Sequence, residues 1–72
     1  MDFSEALKLL KQGARIRRKS WSGTKHLLLL RGCINLGILP HIGIVIDDDK
    51  FAAWAASSCD ILAEDWVRYY KE

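Results

Sequence analysis

Phe3, Ala6, Leu7 and Leu10 recur at helical spacing with Glu5, Lys8 and Lys11 between them, so Asp2 to Gln12 reads as one amphipathic helix. Asp2 stands where a cap belongs, Glu5 follows three residues later, and Gly13 supplies the stop. At Ala14 the period drops to two. Ala14, Ile16 and Arg18 share one face of a predicted strand, and Arg15, Arg17, Lys19 and Trp21 share the other, a cationic face with an aromatic at its end. Past the turn residues Ser22-Gly23-Thr24, Lys25 to Arg31 reads as a second strand whose leucines, Leu27 to Leu30, are apolar on both sides. Such a strand needs cover twice: by the helix on one face, and on the other by a second subunit or a second layer of the same chain.

Gly32 to Leu39 reads as a connection closed by Leu39-Pro40, because proline disfavours helix in the residue before it. In His41 to Ile46 the isoleucines Ile42, Ile44 and Ile46 share one face, and Gly43 leaves the other open to an approaching backbone or ligand. Asp47 to Lys50 is expected as a hairpin turn and Phe51 to Ala55 as a short returning strand carrying Trp54. Ser57 to Asp65 reads as a turn or single helical turn capped by Asp60, and Trp66 to Tyr70 as the last strand. One helix followed by five short strands with tight connections predicts an α+β fold, the N-terminal helix packed on a small antiparallel sheet, with residues 1–72 as one domain.

A chain of 72 residues, 50% hydrophobic, is long enough for one core and no more. It buries only roughly 60% of the surface its unfolded form exposes, which makes oligomerisation the expectation. No apolar run approaches the roughly 20 residues of a spanning helix. The first residues carry no secretion signal, so the expected compartment is the cytoplasm. Cys33 and Cys59 lack a close partner of the CxxC kind and are expected as reduced thiols. The net charge of +2 conceals two halves of opposite sign: residues 1–36 carry eight Lys/Arg against two Asp/Glu, and residues 37–72 three against seven. A basic first half suits an anionic ligand, or the acidic half of a neighbouring subunit.

Most site chemistries find no support. His26, Cys33, His41 and Cys59 form no metal-ligand spacing, the acidic run Asp47 to Asp49 lacks the pattern of a calcium loop, and no nucleophile elbow or phosphate-binding glycine loop is present. Neither a metal, nor a cofactor, nor an enzymatic activity is expected. What remains is the cationic strand ending in Trp21, with Trp54 and Tyr69 or Tyr70 elsewhere on the sheet. Guanidinium groups pair with phosphate and an indole stacks on a purine, so the set suits a nucleotide. The competing reading assigns Trp21, Trp54 and Trp66 to packing and Arg15, Arg17 and Lys19 to solvent.

Three stretches carry a resemblance: Arg17-Arg18-Lys19-Ser20-Trp21-Ser22-Gly23, Leu39-Pro40-His41-Ile42, and the segment from Trp54 through Ser57, Asp60, Leu62, Ala63 and Asp65 to Trp66. Together they resemble the second type of phage Thoeris anti-defence protein, over nearly the whole chain. The resemblance implies a small α+β protein that forms a homotetramer and acts as a sponge. It would bind a cyclised ADP-ribose signal made by bacterial TIR-domain proteins, in pockets at subunit interfaces and without degrading it, and some members also hold cyclic oligonucleotides. Ser22 stands where the family usually has asparagine, and Ser58-Cys59 where it has glutamine-threonine. On this reading Arg17 and Lys19 meet phosphate, Trp21 stacks on adenine, and Asp60 or Asn35 binds ribose hydroxyls, with Trp54 as a second aromatic. The rival class is a single-stranded nucleic-acid-binding module, since basic residues beside aromatics also suit a polymer; the low net charge weighs against it.

Overall fold

The apolar stripe of the N-terminal segment forms a helix, α1 (Phe3–Lys11), because its ends are satisfied locally: the Asp2 carboxylate accepts from the Glu5 amide at 2.9 Å, and Gly13 takes up a positive φ of 94° just past the end. The computed structural model describes residues 1–47 and 50–70. After α1 come β1 (Arg15–Arg18), β2 (His26–Leu30), a short 3-10 turn (Ile34–Leu36), β3 (His41–Asp47), β4 (Lys50–Ala53), α2 (Ser58–Leu62) and β5 (Trp66–Tyr69). The strands form one antiparallel sheet in the order β4-β3-β2-β1-β5. The expected α+β class, with the helix at the N-terminus and five strands, is what the chain adopts.

Register decides which side chains meet the helix. Ile16 lies opposite Leu27, Leu27 opposite Ile44, and Arg18 opposite Trp66, so Ile16, Leu27, Ile44 and Trp66 project to one side. There they join Ala6 and Leu10 of α1; Ala6, Leu10, Ile16, Leu27 and Trp66 are fully buried and form the core. α2 lies on the same side, where the Trp66 indole donates to the Asp60 carbonyl at 3.0 Å. The opposite side carries Leu28, Leu30, Val45, Phe51, Ala53 and Val67 together with Arg15, Arg17, His26, His41 and Tyr69, and among the described residues no helix covers it. Phe51 is 59% exposed there. Of the two covers considered for the leucine strand, a second layer of the same chain is therefore not what the described residues provide.

Several local expectations change. β1 stops at Arg18, because the Trp21 amide donates to the Arg18 carbonyl at 3.0 Å in a tight turn; Lys19 and Trp21 thus leave the strand, and Trp21 turns to the helix side instead of continuing the Arg15/Arg17 face. The cap of α2 is Ser57, whose hydroxyl accepts from the Asp60 amide at 3.1 Å, while the Asp60 carboxylate reaches back to the Ser57 amide at 3.4 Å. Asp60 is the reciprocal member of a capping box, three residues inside the cap. The space expected above Gly43 is filled by Leu30, whose Cδ1 lies 2.7 Å from where a Cβ would stand. Asp47 and Lys50 pair with one another as strand residues, and the rest of the expected turn, residues 48–49, lies outside the described residues. Trp54 falls one residue beyond β4, although its amide still donates to the Ile42 carbonyl at 2.9 Å.

Candidate functional site

Arg17 and Arg18 are neighbours on a strand and so point to opposite sides of the sheet. Arg18 faces the helices, where a lone charge would be costly, and it is paired twice: its Nη1 donates to the Asp60 carboxylate at 2.8 Å and its Nε to the Asp65 carboxylate. Its guanidinium also lies 5.9 Å from the Trp66 ring centre. The hydrogen bond to Asp65 raises the Arg18 pKa further above its usual value, partly offset by burial and reinforced by Asp60. Burial by itself pushes the Asp60 carboxyl up, but its bonds with Ser57 and Arg18 outweigh that and hold it below the ordinary carboxylate range. This cluster ties α2 and the start of β5 to the end of β1.

Arg17 points to the other side and reaches the turn that follows its own strand. Its Nη1 donates to the Gly23 carbonyl at 2.7 Å and its Nη2 to the Trp21 carbonyl, with the guanidinium 5.8 Å from the Tyr69 ring centre. The guanidinium therefore braces the segment carrying Lys19, Trp21 and Lys25. Trp21 itself is half-buried, meeting Trp66 at 5.6 Å and 81°. The Lys25 ammonium lies 4.9 Å from the Trp21 ring centre. Among the described residues neither Lys19 nor Lys25 has a carboxylate partner.

The remaining expected residues distribute unequally. Trp54 is half-buried and joins the same aromatic cluster, 6.0 Å from Trp66 and 5.8 Å from Phe3. Asp60 belongs to it through its carbonyl and its bond to Arg18. Asn35 does not: it sits exposed on the 3-10 turn beyond the far end of β2, whereas Trp21 precedes the near end. Beside that turn a hollow of about 330 Å³ is lined by Arg31, Ile34, Gly37, Ile38, Leu39 and Pro40. Its rim is apolar and open, with Ile34 95% and Leu39 78% exposed.

Two roles escaped the sequence pattern. Lys25 reads there as the first residue of a strand, yet the tight Ser22-Gly23-Thr24 turn brings it back over Trp21; two side chains flanking a short turn meet across it, which was the available signal. Arg18, a charge on an otherwise apolar face, already called for a partner, but only the position of β5 beside β1 shows that Asp65 and Asp60 supply it.

Sequence comparison with known proteins points to one family. A family model described as Thoeris anti-defense 2-like domain matches residues 1–69. The chain is also 35% identical, over 92% of its own length and 91% of the relative's, to the protein named Thoeris anti-defense 2 of Bacillus phage SP01. The motif residues that shape the site, from Arg17 to Gly23 and from Trp54 to Trp66, lie within the matched span. The chain belongs to the Thoeris anti-defense 2-like family, whose designation places it in phage counter-defence against Thoeris immunity.

Proposed function

We propose that the protein acts in the host cytoplasm as a non-enzymatic sponge, holding a cyclic ADP-ribose-type signal at subunit interfaces of a homotetramer and releasing it unaltered. The observation that carries this reading is the division of labour among the basic residues: Arg18 is neutralised by two carboxylates and Arg17 is held in place by backbone carbonyls, while Lys19 and Lys25 stand without carboxylate partners beside the half-buried Trp21. Ammonium groups next to an indole match a ligand with phosphates and an adenine. Asn35 lies away from this cluster within one chain, which fits a pocket completed by a second copy. On the side of the sheet away from the helices, Leu28, Leu30, Val45, Phe51 and Ala53 supply an apolar patch through which copies can associate.

A non-catalytic role is supported at His26, both of whose ring nitrogens are taken, whereas among the described residues His41 is bonded through Nδ1 alone. Arg15 donates to His26 Nε2 at 3.2 Å, His26 Nδ1 bonds the Thr24 carbonyl at 2.6 Å, and His41 Nδ1 bonds the Leu39 carbonyl at 2.9 Å. Calorimetry against cyclic ADP-ribose isomers, cyclic di- and trinucleotides and a short single-stranded DNA tests the reading, with Trp21→Ala as the control. A cyclic ADP-ribose isomer should bind most tightly, Trp21→Ala should weaken it by about tenfold or more, and heating the complex should release intact ligand. A cleaved nucleotide in the released fraction makes the protein an enzyme; single-stranded DNA binding more tightly than every cyclic nucleotide makes it a polymer binder.

A further inference from the structure

The Trp21 ring is covered in the structure by a neighbour from its own chain. The Lys25 ammonium lies 4.9 Å from the ring centre, Lys25 is half-buried, and among the described residues no carboxylate holds it elsewhere. Its backbone is fixed at the root of β2, directly after the Ser22-Gly23-Thr24 turn, so it can leave the ring by side-chain rotation alone. A base stacking on the ring face that Lys25 overlies and the Lys25 ammonium therefore compete for one surface. The competition is unequal, because stacking a whole base on an indole outweighs an exposed cation–π contact.

Resting on the nucleotide-sponge reading above, we propose that Lys25 is a displaceable cover of Trp21 that becomes a ligand-binding residue: the base takes its place on the ring, and the displaced ammonium moves to a phosphate oxygen of the same ligand. The arrangement selects for ligands that carry a base and a phosphate together. A nucleoside displaces the lysine without giving it a new partner, whereas a phosphorylated ligand displaces it and then holds it. Arg17 keeps the two positions in register by bonding the Trp21 and Gly23 carbonyls.

The test compares two probes, adenosine and cyclic ADP-ribose, by calorimetry on the wild-type protein and on Lys25→Ala, Lys25→Arg and Trp21→Ala. Lys25→Ala should tighten adenosine binding about two- to fivefold, by removing the competing cation–π contact, and weaken cyclic ADP-ribose about tenfold, by removing a charge-assisted phosphate bond. Lys25→Arg should restore cyclic ADP-ribose binding to within about threefold of wild type, which also shows that the position tolerates substitution without loss of fold. If Lys25→Ala moves both probes in the same direction while Trp21→Ala abolishes binding, the Lys25 proposal is overturned and the nucleotide site stands. If Trp21→Ala leaves both probes at wild-type affinity, both readings fall.

Discussion

Leu27 and Leu28 are adjacent, chemically identical and on opposite sides of the sheet, which makes them a sensitive pair of probes for what covers each side. Leu27 is fully buried between Ile16 and Ile44 under α1. Its truncation to alanine removes about 2–5 kcal/mol, against a total of about 4–11 kcal/mol expected for a chain of 72 residues. Leu27→Ala should lower the melting temperature by about 8–40 °C, the upper part of which prevents folding altogether, because a loss of 1 kcal/mol shifts so small a domain by about 4–8 °C. Leu28 is half-buried on the helix-free side, so in a lone subunit a lysine there keeps its ammonium in water. If that side is the contact between copies, Leu28→Lys places a charge in an apolar interface at a cost of several kcal/mol and dissociates the assembly while leaving each subunit folded. Circular dichroism melts at several protein concentrations, combined with light scattering, read both effects. The wild-type melting temperature should fall on dilution, and that of Leu28→Lys should not. A wild-type monomer at tens of micromolar, or a Leu28→Lys protein as unfolded as Leu27→Ala, would refute the reasoning.

Acid should weaken the fold through Asp60. Its carboxyl is held below the ordinary range in the folded state, so the unfolded chain binds the proton more readily; the contribution is present above the unfolded carboxylate value and is lost as pH falls through the folded one. Melts from pH 7 down to pH 2 should therefore show a steeper loss for wild type than for Asp60→Asn, and equal slopes would deny Asp60 this role. Gly32→Ala should be disruptive where most surface changes are mild, since Gly32 has a φ of 77° and an added Cβ would stand 2.3 Å from the Ile38 carbonyl oxygen. Hydrogen exchange should show protection lost at the Cys33 and Ile38 amides, which bond each other's carbonyls at 2.8 and 2.9 Å; unchanged protection would show that the connection absorbs the strain.

Side-chain periodicity by itself determined the class of this protein. The 3.6-residue stripe of α1 and the two-residue alternation after Ala14 follow from local geometry, and so does the division of Leu27 to Leu30 between two faces. Turn chemistry marked most of the boundaries to within a residue or two, but the first strand, expected to run to Trp21, ends three residues earlier at Arg18. The motif residues from Arg17 to Gly23 and from Trp54 to Trp66 carried the family. What the sequence could not determine depends on contacts between distant segments. β5 pairs with β1, the first strand, and this alone brings Asp65 and Asp60 to Arg18 and separates that arginine from its neighbour Arg17 in role as well as in direction. A strand pattern assigned Trp21 to the cationic face, but a backbone bond to Arg18 ended the strand and turned the indole onto Trp66, because the alternation of faces holds only while the ladder continues. The Ser22-Gly23-Thr24 turn that follows, braced by Arg17, put Lys25 over the ring. Which cations are free to meet an anion was thus decided by tertiary structure, since a charge is available only after the fold has finished pairing the others.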